Sequence, residues 1–105
     1  MPYEISIGHP LTLYAKGSIT VSSTAIGISA AVLDLVRGGD MEVLLGVETD
    51  QIRLSPNTVA ATTTDMLFDV GDKIRVAGPK LCRELTMIRV TGAATVRFWL
   101  FGKAI

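Results

Sequence analysis

The stretch Met41-Glu-Val-Leu-Leu-Gly-Val-Glu-Thr-Asp-Gln-Ile-Arg-Leu54 decides the fold. Met41, Val43, Leu45 and Val47 share one parity and Glu42 and Glu48 the other, which is the two-residue period of a strand with one wet face. The apolar parity then changes, because Ile52 and Leu54 are even-numbered and Arg53 falls on the opposite side. A straight strand cannot change face in this way. An extra residue near Thr49–Asp50–Gln51, as a β-bulge or a short break, restores the inward face and bends the chain towards a second sheet. A long strand that bends and crosses over is the spine of a small sandwich or barrel.

Upstream of this spine, Gly38–Gly39–Asp40 forms a turn. Residues 29 to 37 fit a helix and a strand equally, since alanine and leucine favour a helix that Ser29 could cap, yet the run is short. Ile26 and Ile28 form a short apolar pair, and Ser18 to Ser22 alternates Ile19 and Val21 with hydroxyl residues as a strand does. Lys16–Gly17 reads as a turn. Residues 1 to 14 contain Pro2, Gly8, His9 and Pro10 among Tyr3, Ile5, Ile7, Leu11, Leu13 and Tyr14, and read as an extended N-terminal arm or a proline-interrupted edge strand.

Downstream, residues 55 to 65 form a threonine-rich loop, and Met66–Phe68 returns the chain to the core. Asp69–Val70–Gly71–Asp72 is a turn before a strand, Lys73 to Ala77, with Ile74 and Val76 inward. Gly78–Pro79–Lys80 turns again. Leu85 to Thr91, with Ile88 and Val90 on the apolar parity, and Ala94 to Phe101 read as a hairpin across Gly92–Ala93. Turn signals at this spacing predict an all-β fold, a small antiparallel β-sandwich or jelly-roll-like barrel of about seven to eight short strands. The expected division is an arm, 1–14, and a single β domain, 15–105.

The last strand carries apolar residues on both faces, Val96, Phe98 and Leu100 on one and Trp99 and Phe101 on the other. A strand wet on one side does not look like this. Either the arm or a neighbouring subunit is expected to cover the second face, which makes Tyr3, Ile5, Trp99 and Phe101 the candidate interface residues.

Composition narrows the function. The 105 residues suit one domain. Hydrophobic residues make up 49% of the chain, but no apolar run approaches the roughly 18 to 20 residues needed to span a bilayer. Met1-Pro-Tyr-Glu-Ile-Ser has neither a basic nor an apolar leader region, so no secretory signal is expected. Ten basic and ten acidic side chains cancel without bunching, which argues against a nucleic-acid partner. The single cysteine, Cys82, rules out an internal disulfide among these residues and reads as a buried, unreactive thiol.

Few residues suggest chemistry. His9 is the one histidine, with no motif around it, and one His with one Cys cannot supply a zinc site. Asp65, Asp69 and Asp72 have oxygen ligands to offer a hard cation but lack a calcium-loop pattern, and read as turn formers. Gly38–Gly39 and Gly71 lack the context of a phosphate loop. Arg53, Arg75, Arg89 and Arg97 read as outward strand residues that pair across strands with Glu42, Glu48 or Glu84. No catalytic residue, cofactor or metal is expected.

The run Val47-Glu-Thr-Asp-Gln-Ile-Arg-Leu, the polar loop after it, Phe68-Asp-Val-Gly-Asp-Lys-Ile-Arg-Val, Met87-Ile-Arg-Val-Thr-Gly and Ala94-Thr-Val-Arg-Phe together resemble the small all-β virion proteins of tailed bacteriophages, of the capsid decoration (cement) and neck or tail accessory kinds. The likeness covers about residues 18 to 101 and is one of pattern. It implies a non-enzymatic virion protein, assembled in the host cytoplasm, that binds symmetric neighbours. Its expected form is a homotrimeric head decoration protein on the major capsid protein, with neck or tail accessory protein as the alternative location. A carbohydrate-binding β-sandwich module using Trp99, Phe101 and the 55–65 loop is the reading from a different class.

Overall fold

The chain forms nine short elements in the computed structural model, which describes residues 11–36, 40–56 and 65–103. In order they are β1 (Leu11–Val21), α1 (Ala30–Leu33), β2 (Met41–Val47), β3 (Ile52–Ser55), β4 (Met66–Phe68), β5 (Lys73–Ala77), α2 (Pro79–Glu84), β6 (Thr86–Arg89) and β7 (Ala94–Lys103). One sheet has the order β1-β7-β2-β5 and the other β4-β3-β6, with every pairing antiparallel. The protein is a small all-β sandwich.

The parity change in the spine is where the chain changes sheet. β2 lies in the larger sheet and β3 in the smaller, with the break at Glu48–Gln51 between them. Met41, Val43, Leu45 and Val47 face Ile52, Leu54 and Met87 across one core, which Val96, Phe98 and Leu100 of β7 and Ile19 and Val21 of β1 complete. Leu33 of α1 and Cys82 of α2 belong to the same cluster. Ile74 and Val76 of β5 point inward as the alternation predicts.

Several local expectations are corrected. The strands Thr86–Arg89 and Ala94–Lys103 are not a hairpin, because β6 pairs with β3 while β7 pairs with β1 and β2. Residues 90–93 therefore carry the chain from one sheet to the other, beside the first crossing. The Val90 amide donates to the Gln51 carbonyl at 3.3 Å, and a Cβ on Gly92 would stand 2.8 Å from Asp50 Oδ2. The two sheet changes are thus stitched together. Within β6 the inward residue is Met87, fully buried in the core cluster, and Ile88 has the opposite parity.

Lys16–Gly17 is not a turn. β1 runs through it, and Gly17 stands opposite Phe98 of β7. A Cβ there would meet Phe98 Cε2 at 2.9 Å, so glycine is present to make room for a ring, one of the standing uses of glycine in a strand. Residues 11–14 likewise belong to β1, where Tyr14 is the extra residue of a bulge between Leu13, opposite Phe101, and Ala15, opposite Leu100. Residues 1–10 of the expected arm lie outside the described residues.

Residues 30–33 settle as one helical turn without a side-chain cap from Ser29, held by the Val32 and Leu33 amides donating to the Ser29 carbonyl at 3.1 Å. The helix α2 had no counterpart in the sequence reading. Gly78, with φ of 97°, ends β5 and Pro79 opens the helix, so the turn signal was right and its continuation was missed. Nor is the second face of β2 fully wet: Leu44 and Gly46 are buried on it, as befits a strand between two neighbours.

The two faces of β7 give a direct test by chemical denaturation. Leu100→Ala is expected to cost about 3 to 5 kcal/mol, the range for a fully buried leucine. Phe101→Ala, on the partly exposed face, is expected to cost about 1 to 2 kcal/mol. Equal losses would mean that the second face is also core.

Candidate functional site

The outer face of the larger sheet follows from the register of its four strands. Its first row reads Leu13, Phe101, Glu42, Ala77; the second Lys16, Trp99, Leu44, Arg75; the third Ser18, Arg97, Gly46, Lys73. Leu13, Phe101, Trp99 and Leu44 are contiguous on this face. None of the four belongs to the core cluster. Leu13 is 47% exposed, Phe101 and Trp99 are partly exposed, and Leu44 is 9% exposed beneath its neighbours.

The indole of Trp99 lies over Gly46. A Cβ at Gly46 would be 3.6 Å from Trp99 Cζ3 and 3.8 Å from the Lys73 Cδ, so ring and lysine stem share the space that a glycine leaves on the sheet. Aromatic cover of a strand glycine in this manner restores packing that the missing side chain forfeits. It also leaves a broad apolar ring partly exposed on the outer face.

Charges frame the patch. Arg97 Nε donates to Glu48 Oε1 at 2.8 Å, and Arg75 Nε donates to Glu42 Oε1. The expected pairing of outward arginines with Glu42 and Glu48 is therefore present. Glu84 takes no part in the ion pairs found among the described residues, and Arg83 pairs instead with Asp34 at 2.9 Å. Arg53 extends across the smaller sheet to donate from Nη1 to the Asp65 carbonyl at 3.0 Å. Arg89 stands opposite Ile52 at the exposed end of β6, on the core's parity and not the outward one.

Of the three aspartates, Asp69 and Asp72 build a turn. The Asp69 amide donates to Asp72 Oδ2 at 2.7 Å, the Val70 amide to Asp69 Oδ1 at 2.8 Å, and the Asp72 amide to the Asp69 carbonyl at 3.0 Å. Gly71, with φ of 93°, completes it. No cluster of three or more His, Cys, Asp or Glu suited to a metal occurs among the described residues.

Cys82 is fully buried, with its Sγ 3.5 Å from the Val76 carbonyl. Burial pushes its thiol up from 9.0 to about 11, so it is neutral and a poor nucleophile at neutral pH. Of the candidate interface residues, Trp99 and Phe101 come together on the outer face, while Tyr3 and Ile5, with His9, lie outside the described residues. Leu13 and Leu44 were missed. Leu44 had a signal in the sequence, because Val43-Leu44-Leu45 is apolar on both parities just as Phe98–Phe101 is.

No family model matches the chain, and no curated protein matches its sequence. A solved structure described as "Bacillus endospore appendages form a novel family of disulfide-linked pili" superposes with a TM-score of 0.50 over 94% of this chain and 95% of that one. Identity is 16%, so the two chains share a fold. Here the one cysteine is sealed in the core. A covalent link through Cys82 would require the protein to open.

A pH titration of stability checks the burial of Cys82. Since the folded thiol titrates near 11 and the unfolded one near 9.0, its contribution is complete below pH 9 and is lost as the pH rises from 9 towards 11. Over that window the wild type is expected to lose about 2 to 3 kcal/mol more than Cys82→Ala does. Parallel curves would show that the thiol is solvated.

Proposed function

We propose that this chain is a non-enzymatic structural protein that works by binding other subunits of a symmetric particle. Its specific form is a homotrimeric head decoration protein of a tailed bacteriophage, bridging and stabilising capsid subunits. The observation that carries the reading is the outer face of the larger sheet. The core is filled without Leu13, Leu44, Trp99 and Phe101, and these four make a contiguous apolar patch on a face that the chain's described residues leave partly exposed. Such patches rimmed by polar groups mark contact surfaces. The shared fold with a protein from a pilus, itself an assembly of repeated subunits, supports the coarser part of this reading.

The mechanism is mechanical. A protein that binds the assembled shell and not its separate subunits stabilises the shell by mass action, without any chemical step. Several copies held in one oligomer make individually weak contacts strong in sum. Neutral overall charge and a fixed apolar surface suit contact with a protein lattice better than contact with nucleic acid.

Quantitative mass spectrometry of virions from a phage whose genome encodes this sequence is the test. A copy number comparable with that of the major capsid protein supports decoration of the head, and a few copies per particle would move the protein to the neck or tail. Absence from the particle sinks the proposal. Re-binding of purified protein to stripped heads is expected to be lost in Trp99→Ala while the fold survives. The carbohydrate-binding reading draws on the same indole, which is partly exposed beside Gly46. Glycan-array binding that disappears in Trp99→Ala would favour it over the shell.

A further inference from the structure

Closed rings other than dimers place a constraint on surfaces. Around a threefold axis each protomer meets its neighbours through two different patches, so the contact is heterologous and the patches must complement each other. The outer face of the larger sheet supplies one. Among the described side chains its charged residues are Lys16, Lys73, Arg75 and Arg97 against Glu42 and Glu48, four positive and two negative, a surplus of two positive charges around Leu13, Trp99 and Phe101.

A second apolar patch lies elsewhere. β4 and the turn after it expose Met66 (51%), Leu67 (48%) and Val70 (51%) within five residues, the densest run of exposed large hydrophobic side chains among the described residues, with Leu67 on the outer face of the smaller sheet opposite Arg53 and Met66 on the other face opposite Leu54. Asp65, Asp69 and Asp72 interleave with them, and no basic residue occurs from 65 to 72. Arg53, which stands opposite Leu67 and donates to the Asp65 carbonyl, offsets one of these charges. Three negative charges less one leave two. The two surfaces are thus opposite in the sign of their surplus charge, and each carries exposed apolar side chains.

We propose that the β4–β5 turn of one copy, residues 65–72, docks on the outer face of the larger sheet of the next copy, and that this head-to-tail contact closes the oligomer. The inference rests on the homotrimeric reading above and names the two surfaces that meet. The two patches do not face each other within one chain's sheet. Residues 69–72 sit at the end of β2, tied to Val47 by its amide to the Asp72 carbonyl at 3.0 Å and by the Gly71 amide to the Val47 carbonyl at 2.8 Å. The row bearing Leu13 and Phe101 lies at the other end of that sheet. A turn at one end of the sheet and a patch towards the other is an arrangement that propagates from copy to copy. Charge complementarity here selects the partner patch and speeds encounter, and the apolar centres supply the affinity.

Sedimentation equilibrium of the full chain tests the contact with two charge variants and their combination. Lys16→Glu makes the sheet face less basic, and Val70→Lys makes the turn less acidic. Both side chains are exposed, and neither alters a residue of the core. Each single variant is expected to weaken self-association about tenfold, while Val70→Lys adds little further loss on the Lys16→Glu background, where the sheet face has no surplus charge left for the turn to meet. Raising the salt concentration weakens the wild-type oligomer in parallel. Thermal unfolding, measured alongside, remains as in the wild type for all three.

Oligomers of unchanged mass and affinity in both single variants would overturn this contact and leave the decoration reading intact. Fully additive losses in the double variant, with all three folded, would overturn it as well. A wild-type chain that stays monomeric up to the highest concentration measured overturns both the contact and the homotrimer.

Discussion

The architecture depends on the fact that β7 is apolar on both faces and a two-layer sandwich has only one interior. β7 is hydrogen-bonded to β1 along one edge and β2 along the other, so neither strand can move aside to expose or hide it. The strict two-residue period then assigns Val96, Phe98 and Leu100 to the core and Arg97, Trp99 and Phe101 to the outside. A slip of one residue would bring Arg97 into the interior, at a cost far above what the exchange of Phe98 for Trp99 could offset. Two glycines make the arrangement fit. Gly17 yields its space to Phe98 inside, and Gly46 yields its own to Trp99 outside. Phe98 and Trp99 thus each have a neighbour with no side chain, one on either surface of the same sheet.

The parity of the spine was legible because it is a property of one segment. Four odd-numbered apolar residues followed by two even-numbered ones require a break, and β2 and β3 lie in different sheets as that break demands. The partner of β6 was not legible in the same way. Arg89 and Ala94 are close in sequence with Gly92 between them, and this looks locally like a hairpin. What decides against it is remote, namely the Val90 amide reaching the Gln51 carbonyl and Asp50 standing against Gly92. Only once 48–51 is known to cross between the sheets does a second crossing at 90–93 become the natural companion.

The same distinction runs through the site. Trp99 and Phe101 could be picked out from one strand, because both faces of that strand are written in consecutive residues. Leu44 carries its own two-faced signal in Val43-Leu44-Leu45, but that it and Leu13 stand beside Trp99 and Phe101 follows only from the register of β7 with β1 and β2, which the bulge at Tyr14 shifts by one. No single-segment pattern carries that information. Gly17 was misread for a related reason: a glycine beside a lysine signals a turn unless a ring from another strand needs its space.

The charges around the patch contribute little to the fold. Arg97–Glu48 is solvent-exposed on both sides and Arg75 on its own, and pairs of that kind add tenths of a kcal/mol at most. Their effect is on what the patch will touch. An apolar surface on an antiparallel sheet, left bare, adheres to any similar surface and aggregates. Ion pairs at its borders and Lys73 beside Gly46 penalise a partner that cannot match them, since burying an unpaired charge costs more than the apolar contact gains. The result is a surface that is weakly attractive to most proteins and complementary to few. Weakness is no defect in a subunit that acts in many copies, because contacts too feeble to hold one molecule hold a symmetric set, and release it when the lattice that presents the partners comes apart.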